Sequence, residues 1–322
     1  MPSLVTVDML VQVGVVVLLS VGFTFTYMVE KFPNFAHTAI ATLGTIVTFT
    51  MVRIYGFNPY QTLPVSTLAC GFIGLGLYLF LVRPLRSTGA KEITLTFAFF
   101  VIAQIIGSMV SIYSYWFLYS QDYPAAGFSV QAFDFTWFSY RGVFIVTLLM
   151  IIILVASLYY FFTRVKYGIA LRAVAEDEAL ASSLGVNIFT VHLLSWFLTG
   201  ALAGLAGTII PLWAYTRLGY TDQLLVVVMA GSVVGGLNSV AGAVVGGILV
   251  SIVQKIISEV AMYFFGMGFI GYEGLYPIIF IFVVLMIEPE GIMGAFSKGN
   301  STLITVKNVL DRLRSNYEKA RQ

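Results

Sequence analysis

The sequence predicts an all-α integral membrane protein, and three observations lead to that fold class. First, 59% of the 322 residues are hydrophobic and only 10% are charged, whereas soluble globular domains carry about 25% charged residues. Second, no Asp, Glu, Lys or Arg occurs between Glu178 and Arg217 or between Asp222 and Lys255, and each gap can hold the roughly 20 residues of a membrane span. Third, segments such as LLMIIILVASLYYFF are apolar on all sides, which favours helices over the alternating strands of a membrane barrel.

Nine apolar segments predict a bundle of about eight to nine transmembrane helices. The segment 222–236 is too short for an ordinary crossing and glycines follow it, so we expect one broken or re-entrant helix there. Irregular backbone at membrane depth is tolerated only where protein or a water-filled cavity buries it. The predicted spans are 8–29, 33–52, 62–82, 93–113, 142–163, 188–212, 222–236, 241–263 and 274–288.

The positions of lysine and arginine predict the orientation of this bundle, because cytoplasmic loops carry an excess of both residues. With nine crossings, three basic regions fall on one side, at 83–91, 164–172 and 298–321. We therefore expect a multi-pass protein of the cytoplasmic membrane, with its N-terminus outside and its C-terminus in the cytoplasm. The expected membrane domain is 1–295, with a cytoplasmic loop at 164–187. The tail 296–322 is expected to be cytoplasmic and amphipathic and to lie on the inner membrane surface.

Several classes of function are disfavoured by what the sequence lacks. The chain contains neither HExxH nor GxxxxGK[ST], the motifs of zinc proteases and of P-loop ATP binding. Cys70 is the single cysteine, so neither an internal disulfide nor a cysteine cluster for a metal can form. The net charge is only +2 and no basic patch carries interleaved aromatic residues, which argues against a nucleic acid partner. We expect no catalytic residue, no metal and no cofactor on this chain.

The cytoplasmic loop 164–187 has the composition of a helix that another protein can hold. Strong helix formers fill 169–184, and Gly185 follows where a C-terminal cap would lie. Arg172 and Glu176 are four residues apart and can pair on one helix face, while Ala173 and Ala181 give a face of little bulk. A cytosolic domain could hold such a helix, and a plain solvated loop helix is the alternative.

This loop resembles the coupling loop of the branched-chain amino acid ABC permeases, the LivH/LivM family, and is nearer the LivH side. The matching residues of the loop are Arg172-Ala173, Ala175-Glu176-Asp177-Glu178, Ala181 and Leu184-Gly185-Val186-Asn187. Five further segments match in chain order: Asn34-Phe35-Ala36-His37, Arg83-Pro84-Leu85-Arg86, LTGALAGLAG at 198–207, VGGLNSVAGAVVGG at 234–247, and Pro289-Glu290-Gly291-Ile292-Met293-Gly294. Thr38 and Ala241 depart from the family pattern, so the exact substrate stays open.

The resemblance implies the permease subunit of an ABC importer, forming the translocation path for branched-chain amino acids or related small amino acids or amides. It implies four kinds of partner: a second homologous permease, two cytosolic ATPase subunits that bind the ATP, an external substrate-binding protein, and the lipid bilayer. Urea remains an alternative substrate, and homo- or heterodimeric assembly is open. The residues expected to shape the ATPase contact are Arg172, Ala173, Glu176, Asp177, Ala181 and Gly185.

Two polar sites within apolar sequence are candidates for the substrate path. The first is the turn containing Gly235, Gly236, Asn238 and Ser239, which exposes backbone groups near membrane depth; tight packing of small residues is the alternative. The second is the pair Asn34 and His37, expected at the inner start of the second span, where a cap or a hydrogen bond between helices is the alternative. His192 is expected to anchor its span at the inner interface.

A transporter of another class is the main rival. An ion-coupled secondary transporter or channel for a small neutral solute often needs charged residues within its spans. Such residues are scarce here, apart from Lys255 and Glu259, although carbonyls and hydroxyls can also hold sodium.

Overall fold

The computed structural model describes residues 7–122, 127–137, 140–266, 272–287 and 291–293, and these form a bundle of α-helices. The predicted tail 296–322 lies outside the described residues. The helices are α1 (Val7–Glu30), α2 (His37–Arg53), α3 (Thr62–Leu77), α4 (Arg83–Ser87), α5 (Glu92–Gln121), α6 (Gly142–Arg164), α7 (Lys166–Glu176), α8 (Glu178–Ser183), α9 (Ile188–Trp213), α10 (Tyr220–Gly235), α11 (Val240–Phe265) and α12 (Leu275–Ile287).

Four two-residue strands complete the described structure. Strand β1 (Gly127–Phe128) pairs antiparallel with β4 (Thr216–Arg217), and β2 (Thr136–Trp137) pairs antiparallel with β3 (Tyr140–Arg141). The β1–β4 pair ties the loop after α5 to the segment after α9, and Val130 of the same loop donates its N–H to the carbonyl of Pro211. The β2–β3 pair is a local hairpin within the loop.

Seven helical segments of the described chain are long and apolar enough to cross a membrane, which confirms the predicted fold class. They contain α1, α3 with α4, α5, α6, α9, α11 and α12. A π-helical segment, Tyr78–Val82, makes α3 and α4 continuous. Two further helices, α2 and α10, have only 17 and 16 residues. The short α10 agrees with the expected short segment 222–236, whereas α2 was predicted as an ordinary span at 33–52.

Helix α2 is short because it begins inside the bundle. Its first residue, His37, places Nε2 3.0 Å from the carbonyl oxygen of Leu19, and its ring lies beside Gly22. Helix α1 continues for another 11 residues, to Glu30, which is about 16 Å of helix. The chain therefore folds back along α1 before α2 starts, and His37 lies deep in the bundle rather than at the inner membrane surface as predicted.

The bundle is built from two repeats of opposite orientation. Helices α1, α2, α3 and α5 pack in the same pattern as α9, α10, α11 and α12: α3 packs on α9 as α11 packs on α1, and α2 packs on α5 as α10 packs on α12. Helices α1 and α9 run antiparallel, because Ser195 donates to the carbonyl of Phe25 and Thr199 to that of Gly22. Inverted repeats of this kind are common in transporters.

Small residues allow the helices of each repeat to approach closely. A Cβ atom on Gly235 would collide with the carbonyl of Gly242, and one on Gly246 would collide with the carbonyl of Gly231. In the other repeat, a Cβ on Gly204 would collide with the carbonyl of Ser66. These glycines therefore pack helices together, in the way expected of small residues in membrane proteins.

The two ends of the bundle differ in the segments they carry. At one end, which we call the α7 end, Lys31 contacts both Ala175 of α7 and Asn238 of the α10–α11 turn, and Arg86 contacts Glu30. At the opposite end, Arg141 donates to the carbonyl of Leu212. Two of the basic regions predicted to share one side, 83–91 and 164–172, thus lie together at the α7 end, and the third, 298–321, lies outside the described residues.

Candidate functional site

The predicted loop helix 169–184 is divided into two helices in the structure. Asp177 has extended backbone, with φ −152° and ψ 106°, and its Oδ1 accepts a hydrogen bond of 2.9 Å from the N–H of Leu180. It therefore caps the N-terminus of α8 after α7 has ended at Glu176. Gly185 ends α8 with φ +85°, and Val186 donates to the carbonyl of Ala181. We call residues 166–187 the α7–α8 segment.

The predicted coupling residues of this segment differ in exposure. Arg172, Glu176, Asp177 and Gly185 are exposed, Ala173 is half-buried and Ala181 is buried. The predicted ion pair between Arg172 and Glu176 is not among the ion pairs of the described residues. The exposed charges thus lie on the surface of the segment, while the residues that pack it on the bundle are Gly168, Leu171, Val174, Ala175 and Ala181.

Two exposed leucines of α8 were missed by the sequence analysis. Leu180 is 58% exposed and Leu184, just after the helix, is 75% exposed. Their spacing of four residues puts both on one side of the helix, beside the exposed carboxylate of Asp177. The two leucines and the charges beside them are therefore candidates for contact with another protein. The spacing was visible in the sequence, but the direction in which the leucines point was not.

A buried carboxylate joins the α7–α8 segment to the membrane helices. Glu30, at the end of α1, is fully buried; its Oε1 lies 2.7 Å from His192 Nδ1 and accepts a hydrogen bond of 2.8 Å from Trp196 Nε1. Its Oε2 lies 2.7 Å from Arg86 Nη2. His192 Nε2 is in turn 3.7 Å from the carboxylate of Glu178 in α8. This Glu30 cluster therefore connects α1, α4, α8 and α9.

The position of His192 differs from the prediction that it anchors a span at the interface. Only 3% of the residue is exposed, and its ring stacks on Tyr78 with centroids 5.5 Å apart and planes 7° apart. Its two ring nitrogens face two carboxylates, from Glu30 and Glu178. His192 is thus a buried link between α8 and α1, which no local sequence pattern indicates.

A second link at the same end is made by Lys31. Its Nζ donates a hydrogen bond of 2.7 Å to the carbonyl of Ala175 in α7, and it lies 3.4 Å from Oδ1 of Asn238. Burial lowers the pKa of the Lys31 ammonium below its ordinary value, and the charge of Glu92 opposes this shift. Through Lys31, the α7–α8 segment contacts the α10–α11 turn that was predicted for the substrate path.

Of the predicted path residues, Asn34 and His37 lie together inside the bundle. Both are fully buried, and His37 donates its backbone N–H to the carbonyl of Asn34. Asn34 Oδ1 accepts from the N–H of Ala36. Asn34 Nδ2 and His37 Nδ1 have no hydrogen-bond partner within the described part of the chain. Buried polar atoms are rarely left unsatisfied, but neither residue lines the pockets given by the described residues.

The other predicted path residues lie at the turn between α10 and α11. Gly236 has φ +107° and Ser239 Oγ accepts from the N–H of Gly242, capping α11. Gly235 packs against Gly242. Only Asn238 projects toward the α7–α8 segment, through its contact with Lys31. The turn is therefore mainly a close-packed helix connection, with one polar side chain at the surface of the α7 end.

The N-terminal parts of the two short helices meet in the middle of the bundle. Thr42 of α2 and Thr221 of α10 form a hydrogen bond between their hydroxyls. Thr48 of α2 also donates to Thr208 of α9, 3.2 Å away. Helix N-termini and hydroxyls within membrane bundles are common elements of substrate sites. In this structure, these hydroxyls bond to one another across the helices.

Comparison with known proteins gives consistent results. A family described as "Branched-chain amino acid transport system / permease component" matches residues 5–287. A protein of Methanocaldococcus jannaschii named "Probable branched-chain amino acid transport permease protein LivH" is 34% identical over 281 residues, which cover 87% of this chain and 89% of the relative. The similarity is lower to two bacterial proteins, both named as permease proteins of a "High-affinity branched-chain amino acid transport system". BraD of Pseudomonas aeruginosa is 25% identical, covering 86% and 91%; LivH of Escherichia coli is 23% identical, covering 86% and 90%. No solved structure matches significantly.

Proposed function

Because this chain belongs to the family of permease components of branched-chain amino acid transport systems, we propose that it is the permease subunit of an ABC importer. It provides the translocation path for branched-chain amino acids or related small amino acids or amides. It does so together with a second homologous permease, two cytosolic ATPases that bind ATP, and an external substrate-binding protein. The chain itself performs no catalysis.

The observation that carries this proposal is the α7–α8 segment. It projects two exposed leucines and the charges of Arg172, Glu176 and Asp177, while its buried face is fixed to the bundle. A rigid helix pair of this kind can be held by an ATPase and can transmit its movement. The α7 end then lies in the cytoplasm, with the N-terminus outside and the C-terminus inside.

The two links at the α7 end supply the mechanism. When ATP binding closes the ATPases, the α7–α8 segment moves. The Glu30 cluster transmits this movement to α1 and α9, the two antiparallel helices on which the inverted repeats are built. Lys31 transmits it to the α10–α11 turn. The repeats then change their relative tilt and alternate access between the two sides.

The buried carboxylate of Glu30 does not favour the rival, an ion-coupled transporter. A carboxylate that serves an ion or proton path in a membrane protein faces a water-filled cavity or a further ionisable group along that path. Glu30 is instead held by Arg86, His192 and Trp196, and it lies at the end of α1. These partners make it a structural anchor.

Reconstituted transport tests the proposal. The complete transporter, assembled with its ATPases and second permease in proteoliposomes, should take up labelled leucine from its loaded binding protein only when ATP is supplied on the ATPase side. Uptake that requires a sodium or proton gradient and no ATP would establish the rival instead.

A further inference from the structure

A polar pocket lies at the α7 end, between the α7–α8 segment and the α10–α11 turn. Its volume is about 520 Å³, within the range of small-molecule sites. One wall is formed by α7, and the opposite wall by the turn and the start of α11. The lining residues that carry the argument are Met28, Lys31, Phe162, Arg172, Glu176 and Asn238.

The lining of this pocket combines both signs of charge with an apolar surface. Lys31 and Arg172 are cationic, Glu176 is anionic, and Met28 and Phe162 are apolar. Arg172 and Glu176 have the spacing of a helical ion pair, yet neither belongs to an ion pair among the described residues. A zwitterion with an aliphatic side chain matches this set: its carboxylate meets the cations and its ammonium meets the carboxylate.

Contacts with both walls hold the Lys31 ammonium in this pocket. Lys31 has φ +59°, a left-handed conformation that is uncommon for a residue with a Cβ. Its Nζ contacts one acceptor on each wall, at Ala175 and Asn238, and an ammonium carries a third N–H. Burial lowers the pKa of this group, so the carboxylate of a ligand would offset its desolvation. A strained residue placed between two elements is a common feature of ligand sites.

We propose that this pocket binds a zwitterionic amino acid from the cytoplasmic side and that its occupancy inhibits transport. The inference rests on the proposed function, including the cytoplasmic location of the α7 end. The carboxylate of such a ligand draws the Lys31 ammonium away from Ala175 and Asn238, the two contacts through which the movement of α7 reaches the α10–α11 turn. The movement is then no longer passed on when the ATPases close, so a high internal concentration of the imported amino acid slows further import.

Equilibrium binding tests the site directly. The complete transporter in lipid nanodiscs, without the binding protein, should bind labelled leucine saturably. Lys31→Met should weaken this binding at least tenfold, because one charge-assisted contact to the carboxylate is lost, whereas Lys31→Arg should largely retain it. Lys166→Met is the control. Lys166 begins α7, the helix that carries Arg172 and Glu176, but it does not line the pocket, so leucine binding by this variant should equal that of the wild type.

Two analogues separate the roles of the charges. Leucinamide lacks the carboxylate and 4-methylpentanoate lacks the ammonium, so both should compete with leucine at least tenfold more weakly than leucine itself. The exposed substitution Glu176→Gln should weaken leucine binding but leave the affinity for 4-methylpentanoate unchanged. Equal competition by all three compounds would contradict a zwitterion site.

Inhibition is measured as a fall in the rate of ATP hydrolysis. The binding protein is kept saturated with leucine while the concentration of free leucine is raised. Hydrolysis by the wild type should fall with the same concentration dependence as binding. Lys31→Met should lower the rate even without leucine, because Lys31 is a link of the proposed mechanism, and relative to that lower rate it should shift the leucine dependence at least tenfold. If the wild-type transporter shows ATP-driven uptake but binds no leucine in nanodiscs, this inference is wrong and the proposed function stands. Absence of ATP-driven uptake by the complete wild-type transporter overturns the proposed function as well.

Discussion

Glu30 shows how one residue can fix several elements of a membrane bundle. Its carboxylate is fully buried and is shared by Arg86 of α4 and by His192 and Trp196 of α9. A buried charge is tolerated only when it is paired and hydrogen-bonded, and removing one partner of a buried pair is strongly destabilising. The residue therefore contributes to stability and to the proposed transmission of movement.

Replacing Glu30 by Gln should test both roles. The substitution keeps the shape but removes the charge, and we expect a loss of about 1–3 kcal/mol of stability because hydrogen bonds to a charged group are replaced by weaker ones. Thermal unfolding of the purified transporter should show a lower Tm, and ATP hydrolysis should become less dependent on the loaded binding protein. Glu92→Gln, an exposed carboxylate at the same end, should change neither. An unchanged Tm for Glu30→Gln would contradict the anchor.

Asp177 has two separable roles, as cap and as exposed charge. Asp177→Ala should remove the hydrogen bond to the N–H of Leu180 and destabilise α8 locally by about 0.5–2 kcal/mol. Hydrogen exchange of the amides at 178–184 should accelerate. Asp177→Asn keeps an acceptor oxygen and should preserve slow exchange, while it still removes the charge from the proposed docking surface. If both variants exchange like the wild type, the cap does not stabilise α8.

At the scale of helices, close packing of glycines explains how the short helix α10 is held in the bundle. Gly246→Ala should destabilise the protein by about 1–3 kcal/mol, because the added Cβ meets the backbone of Gly231 and the packed elements must separate. Gly76→Ala is the control, since a Cβ at that helical position meets no atom within 4 Å. In thermal unfolding, the Tm of Gly246→Ala should be clearly lower than that of Gly76→Ala. An equal Tm would contradict the prediction and show that the α10–α11 contact can relax around a methyl group.

The helices also show which features a sequence can and cannot predict. Long apolar runs such as the one that forms α6 predicted the spans well, because lipid imposes length and apolarity on each crossing. The glycines after Val234 predicted that α10 would be short. The apolar run at 33–52 did not reveal that α2 begins inside the bundle at His37, because hydropathy reports composition and not depth.

Local sequence patterns predicted only part of the candidate site, because they do not show which distant residues pack together. Arg172, Glu176 and Asp177 are exposed as a coupling surface requires, and the local pattern identified their segment. The link from Glu30 to His192 joins residues 162 positions apart, so only the packed structure brings it together. The break at Asp177 interrupts a run of strong helix formers, where the cap that it provides prevails over intrinsic propensity.

For the whole molecule, the basic loops 83–91 and 164–172 lie at one end, and we propose from them that the α7 end faces the cytoplasm. Cys70 is buried, so replacing it by Ser gives a background for single cysteines. Lys166→Cys should react with a membrane-impermeant maleimide only in inside-out vesicles, and Tyr55→Cys only in intact cells, because these exposed residues lie at opposite ends of the bundle. Labelling of both from the same side would contradict the described packing, and the reverse pattern would invert the proposed orientation.

The central claim is that the α7–α8 segment is the surface on which the ATPases dock. Its most direct test is co-purification of the tagged chain with its ATPases, comparing the wild type with the double variant Glu176→Lys and Asp177→Lys, and with Glu92→Lys as a charge-reversal control. We expect the ATPases to accompany the wild type and the control and to be lost from the double variant. If a well-folded double variant retains the ATPases as fully as the wild type, the docking surface lies elsewhere and the claim is wrong.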